Sequence, residues 1–191
     1  MTGEAEFNEV FFTDTRIHES EMLGQPGDGW RVSLTTLMNE RQSIGGSIPQ
    51  RGSGTIANLR KEGADAPAWQ KDDATRDEVM KLWIRAEVLR LTNIRANNNR
   101  KMGDPGPEGS ISKMAGANLN KDIYEALVNL MGADALLYGS YEMVRPEHAM
   151  EYATPQKAVL RSRANSIEGG TSEVMLGIVA FNQQAVEGSI L

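Results

Sequence analysis

Apolar residues recur at helical spacing through most of this chain. From Asp28 to about Gly46, Trp30, Leu34, Leu37, Met38 and Ile44 share one side, which predicts an amphipathic helix. Residues 47–73 hold a Pro/Gly/Ser-rich breaker, a short helix at 55–62 and a second loop around Pro67. A longer helix is predicted from about Ala74 to Asn97, with Val79, Leu82, Trp83, Ala86, Leu89 and Ile94 giving broad apolar coverage. The run Asn97-Asn98-Asn99 with Gly103, Pro105 and Gly106 ends it. Pro107 and Glu108 fit the first turn of the next helix, which runs to about Met131. Its buried side is predicted to carry Met114, Leu119, Ile123, Leu127 and Leu130. A connection through Tyr138 to Pro146 leads to a helix at 154–163, and a final helix runs from Thr171 to about Val186. Antiparallel packing of the four main helices gives an all-α, antiparallel four-helix bundle.

One segment breaks the helical pattern. Residues 6–12, Glu-Phe-Asn-Glu-Val-Phe-Phe, read as a single β-strand. An isolated strand cannot make a sheet, so it either pairs with another molecule or belongs to another domain.

Composition narrows the function classes. At 191 residues, the chain is one substantial domain or a piece of a larger protein. With 40% hydrophobic and 24% charged residues, it has an ordinary soluble balance; its net charge of −6 and scattered cations argue against nucleic acid as a partner. Absence of cysteine excludes disulfides, thiol catalysis and Cys-ligated metal. His18 and His148 stand in unrelated contexts, which argues against a His-based metal site or triad. No signal-peptide pattern opens the chain and no apolar run is long enough to span a bilayer, so the cytoplasm is the default compartment. The ten methionines fall mostly at core spacing and read as packing residues.

The stretch richest in chemistry is Arg161-Ser162-Arg163-Ala164-Asn165-Ser166-Ile167-Glu168-Gly169-Gly170-Thr171-Ser172-Glu173. It reads as a helix end, a glycine loop and a helix start. The glycines permit backbone angles that a side chain would block. Thr171 or Ser172 can cap the next helix, and Glu173 sits in its first turn, where negative charge is favoured. Backbone N–H groups at such an end suit an oxyanion or a phosphate. The same features also serve an ordinary helix–loop–helix joint.

The wording of this loop resembles the C-terminal signature of the acyl-CoA dehydrogenases, flavoenzymes that desaturate acyl-CoA thioesters. The N-terminal segment agrees. Phe7, Val10, Phe12, Asp14, Arg16 and Ile17 match the family's last β-domain strand and the residues after it, and Gly27-Asp28-Gly29-Trp30 leads into the helical domain. The resemblance implies that residues 1–27 are the end of a middle β domain plus a linker, and that 28–191 form the C-terminal helical bundle. The chain would then be roughly the C-terminal half of the family architecture.

The resemblance also implies a mechanism. A carboxylate removes the thioester α-proton while the β-hydrogen leaves as hydride to flavin, so the base needs a raised pKa. The developing enolate needs donors at the thioester carbonyl, one of them a backbone N–H of the glycine loop. The family places its base either immediately before the loop's Gly-Thr pair or on the first bundle helix, in a Leu-x-x-Glu-Arg motif. Here Gly169 holds the first position and Leu37-Met38-Asn39-Glu40-Arg41 fills the second. Glu40 is therefore the implied base, with Glu168 as second candidate through a one-residue shift of the loop. Gly169 N–H is the implied carbonyl donor, and Gly170 and Arg41 belong to the substrate loop.

For the cofactor, FAD, the family's Thr-x-Glu pattern matches Thr171 and Glu173 near the adenosine half. Its Gln-x-x-Gly-Gly turn at the pyrophosphate is met in part by Asn129 through Gly132 and Ala133. The Arg-x-x-Phe-Gly motif that reaches a neighbouring subunit's FAD is missing, and the Gly/Pro-rich stretch at 47–73 stands in its place. Further implications are an acyl-CoA substrate, a homo- or hetero-oligomer, and an electron-transferring flavoprotein as acceptor. The alternative reading is a non-catalytic helical interaction module or partner subunit, inactive alone and exposing apolar surface that drives self-association.

Overall fold

The computed structural model describes residues 2–5, 8–45, 48–65, 72–103, 106–140, 142, 143, 145 and 154–188; within them the side chains of Met38 and of residues 41–45, 62–65 and 182–188 are excluded. The described residues form six α-helices: α1 Gly29–Gly45, α2 Thr55–Asp65, α3 Asp73–Lys101, α4 Glu108–Met131, α5 Pro155–Arg161 and α6 Ser172–Gly188. Short 3-10 turns follow α4 (Gly132–Leu136) and α5 (Ser162–Ser166).

The organising element is α4. Every other helix packs on it, and α1, α3 and α6 each meet α4 more extensively than they meet one another. Its sequence explains this. Ala117, Leu119, Ile123, Tyr124, Ala126, Leu127 and Leu130 are all buried. That set spans more than one stripe, so the helix must be surrounded. Small residues admit neighbours closely: a Cβ on Gly116 would already lie 3.6 Å from Leu89 Cδ2 of α3. The core joins Ile56 and Leu59 of α2, Leu82 of α3, the α4 residues and Ala158 of α5.

Polar ties fix the register of the long pair α3–α4. Ser112 Oγ lies 2.5 Å from Asn93 Oδ1, Asn99 Nδ2 donates to Glu108 Oε1 at 2.8 Å, and Arg85 pairs with Asp122 at 2.7 Å. Thr55 Oγ1 likewise meets Asn120 Oδ1 at 3.0 Å between α2 and α4.

The all-α class and the helix order agree with the sequence pattern. Two expectations need correction. The third helix does not stop at Asn97: the asparagine run stays helical to Lys101, where Arg100 and Lys101 suit the negative end and Gly103 (φ 83°) closes the turn. The strand expected over 6–12 is not formed across residues 8–12, which have no strand partner; Glu6 and Phe7 lie outside the described residues. Val10, Phe11 and Phe12 are accordingly exposed.

The N-terminal segment is nonetheless tied to the bundle. Tyr138 Oη donates to the Thr2 carbonyl at 2.7 Å, Arg145 to Asn8 at 2.9 Å, and the Lys157 ammonium pairs with the Glu4 carboxylate.

Candidate functional site

The glycine loop is built by α5 and the 3-10 turn behind it. Thr154 caps α5 by accepting the Lys157 N–H at 3.3 Å, and Pro155 occupies the first turn, where its missing N–H costs nothing. Seven residues later the helix tightens into Ser162–Ser166, which packs on α4. Ser162 is fully buried, and Arg163 reaches Glu125 of α4 at 2.6 Å. The chain then turns through Gly169 (φ 64°) and Gly170 (φ 100°), backbone angles that disfavour a side chain.

Three side chains hold this turn. Arg161, only 6% exposed, donates from Nη2 to Glu168 Oε2 at 2.9 Å; Asn165 Nδ2 donates to Glu168 Oε1 at 2.7 Å. The Lys113 ammonium of α4 donates to the Gly170 carbonyl. Burial pushes the Glu168 carboxyl up, but hydrogen bonds from Arg161 and Asn165, with the charges of Arg161 and Lys113, bring it below its ordinary value. Among the described residues no protein acceptor takes the N–H of Gly169 or Gly170.

Beyond the turn, Thr171 caps α6: its Oγ1 accepts the Val174 N–H at 3.3 Å and its carbonyl the Met175 N–H at 3.0 Å. Glu173 sits in the first turn, held below the usual carboxylate range by its own N–H, by Thr171 and by Lys113 and Lys121. Met175, fully buried, fixes α6 to the bundle.

The structure thus brings Glu168, Gly169, Gly170, Thr171 and Glu173 together. Glu40 stands on a separate element, exposed near the end of α1, which also packs on α4. The Arg41 side chain lies outside those described. Asn129 and Gly132 lie elsewhere. Sixteen residues along α4 separate Asn129 from Lys113, about 24 Å of helix axis. Gly132 closes α4 with φ 60°. Asn129 lines a cavity of about 120 Å³ with Asp72, Thr75, Glu78, Val79, Ala126 and Leu130.

These surroundings test the fit of FAD. The half-buried amides of Gly169 and Gly170, a hydroxyl and the Lys113 cation at the glycine turn suit a polar or anionic ligand. The cavity beside Asn129 has two carboxylates on its wall, and their charge opposes a diphosphate.

The sequence pattern placed Arg161 and Asn165 in the stretch around the glycine loop but gave neither a role, although their spacing of seven and three residues before Glu168 suits a turn clamp. Lys113 left no sequence signal, because it meets the loop only through the packing of α4.

Comparison with known proteins agrees with this architecture. Residues 27–183 match the profile of the acyl-CoA dehydrogenase C-terminal domain. The chain is 31% identical to the acyl-CoA dehydrogenase IpdE1 of Mycobacterium tuberculosis over 94% of its length and 44% of that protein. The IpdE1 of Mycolicibacterium smegmatis is 30% identical, with 42% of its length covered. A solved structure titled as a steroid ACAD variant, Tcur3481-Tcur3483 G363A, superposes with TM-score 0.62 at 21% identity, covering 89% of this chain and 43% of that one. The chain spans less than half the length of the curated relatives it matches. On the helical fold, the glycine loop and these matches together, the chain belongs to the acyl-CoA dehydrogenase family, within its C-terminal domain.

Proposed function

We propose that this chain is the C-terminal part of an FAD-dependent acyl-CoA dehydrogenase that desaturates an acyl-CoA thioester, with Glu40 as the base. One observation carries the choice between the two carboxylates. Glu168 is engaged through both oxygens, by Arg161 and Asn165, and is held below its ordinary pKa. Abstraction of a weakly acidic α-proton needs the opposite, a carboxyl raised by burial. Glu40, at the Leu-x-x-Glu-Arg position, is the carboxylate proposed to take the proton, and bound substrate would bury it. Gly169 N–H donates to the thioester carbonyl as enolate charge develops, and Arg41 orients the loop. When bound, FAD supplies the acceptor for the β-hydrogen as hydride.

Thr171 and Glu173 are the residues proposed to hold the adenosine end of the cofactor, while Gly170 belongs to the substrate loop. Asn129 and Gly132 form the second proposed contact, the one that Asp72 and Glu78 oppose. An electron-transferring flavoprotein and a homo- or hetero-oligomeric assembly complete the reading. Its test is acyl-CoA-dependent bleaching of the flavin absorption in an enzyme assembled to the full length of its relatives.

A second reading is favoured by the exposure of Val10, Phe11, Phe12 and Trp30. On this reading the chain alone is a helical interaction module, and it binds neither flavin nor acyl-CoA until a further domain or subunit covers that surface.

A further inference from the structure

Two adjacent glycines give the loop between α5 and α6 an unusual backbone freedom. Gly169 (φ 64°) and Gly170 (φ 100°) adopt angles that other residues disfavour, so the peptide units beside them reorient easily. A backbone donor on such a turn stabilises a developing charge well only if something holds its direction before the reaction starts.

Peptide units are planar and trans, so holding one end of a unit fixes the other. The Glu168–Gly169 unit carries the Gly169 N–H. It is held from its leading side, where the Glu168 N–H donates to the Ala164 carbonyl at 2.9 Å and the carboxylate is gripped by Arg161 and Asn165. The Gly170–Thr171 unit is held through the Gly170 carbonyl, which accepts from the Lys113 ammonium of α4. The base of that lysine is rigid. Ser112, its neighbour, lies against Asn93 of α3 at 2.5 Å, and Glu108 at the start of α4 accepts from Asn99 at 2.8 Å. The turn is therefore pinned on both flanks. Between the pins stand the amides of Gly169 and Gly170, for which no protein acceptor is found among the described residues. The same ammonium acts through space. Set against burial and added to the hydrogen bonds on Glu168 and Glu173, its charge helps to lower both carboxyls, one on each side of the turn.

We infer that Lys113 is a positioning residue: by holding the Gly170 carbonyl from α4, it keeps the glycine turn in the orientation in which the Gly169 N–H meets the thioester carbonyl. This rests on the reading of the chain as part of an acyl-CoA dehydrogenase and adds the group that aims its backbone donor. The donor matters most as enolate charge develops, so losing the grip falls on kcat more than on KM.

Two variants test it. Lys113→Met keeps an apolar stem and removes both donor and charge, whereas Lys113→Arg keeps both. Circular dichroism checks that each retains its helices; if Lys113→Met does not, Lys113→Gln takes its place. The first readout needs no activity: amide resonances of the full chain labelled with ¹⁵N-glycine. Lys113→Met should shift or broaden Gly169 and Gly170 and leave Gly132, at the far end of α4, unmoved, and Lys113→Arg should restore the parental pattern. The second is anaerobic flavin reduction in an enzyme assembled to the full length of its relatives. Lys113→Met should slow the rate at saturating acyl-CoA by on the order of tenfold or more, with the half-saturating concentration changed by less than about threefold. Lys113→Arg should recover most of that rate. Loop resonances indifferent to Lys113→Met would overturn the inference whatever the activity, and so would resonances that move while the saturating rate stays put. A parent enzyme whose flavin no acyl-CoA bleaches would overturn the functional reading itself, a failure told apart because it precedes any substitution.

Discussion

Arg161 and Glu168 meet at 2.9 Å across the turn that joins α5 to the glycine loop, with Arg161 almost wholly buried and Glu168 about one-third exposed. The pair turns a carboxylate that the sequence offers as a base into a clamp for the loop. Two consequences follow, one for stability and one for chemistry. The folded pKa of Glu168 is lowered, so its contribution is complete above the ordinary value of 4.5 and is lost as pH falls through the lower folded value. Glu168→Gln should destabilise the chain near neutral pH by on the order of 1–3 kcal/mol, because Arg161 loses its ionic partner. Urea unfolding of both proteins at several pH values should show the gap narrowing below about pH 4.5. A gap constant down to pH 3 would mean that the pair contributes nothing ionic.

Gly52 should tolerate no side chain. Its φ of 73° disfavours one, and an added Cβ would overlap the Trp83 indole of α3. Gly52→Ala is expected to cost more than about 1 kcal/mol and to displace the indole. Thermal unfolding and tryptophan emission measure the two effects; an unchanged melting temperature would show that the 48–54 segment does not lean on Trp83.

Ile123, 1% exposed at the centre of α4, is the core residue whose truncation should be felt most widely. Ile123→Ala should cost about 2–5 kcal/mol. The loss should appear in a single cooperative transition, because α4 touches every other helix. Two separated transitions would contradict the role of α4 as common core.

The two proposed flavin contacts should behave differently. Thr171→Ala removes both the α6 cap and a proposed ligand hydroxyl, so flavin affinity in the assembled enzyme should drop several-fold. Asn129→Asp adds a third carboxylate beside Asp72 and Glu78. It should weaken flavin retention by roughly tenfold if a diphosphate sits there. Fluorescence of released FAD reads both, and an indifferent Asn129→Asp removes that turn from the cofactor site.

Much of this was legible in the sequence, for identifiable reasons. Proline and acidic first-turn residues announce themselves locally, so Pro107-Glu108 marked a helix start within a residue. The glycine turn was readable because only glycine serves at two successive positive angles. The third helix ran past Asn97 because a favourable C-terminal charge pattern and the Asn99–Glu108 bond outweigh weak asparagine propensity. Lys113 stayed hidden for another reason. It acquires meaning only once packing decides what lies opposite, and periodicity along one helix does not say which loop a side chain will reach.

Which carboxylate takes the α-proton is decided by comparing the two glutamines. Anaerobic flavin reduction by an acyl-CoA should be followed by stopped flow in an enzyme assembled to full length, carrying Glu40→Gln or Glu168→Gln. Glu40→Gln is expected to keep its flavin and to lose reduction by on the order of 10³-fold or more. Glu168→Gln should reduce its flavin at a rate within about tenfold of the parent. Abolition of reduction by Glu168→Gln, with Glu40→Gln still turning over, would contradict the account and return the base to the glycine loop.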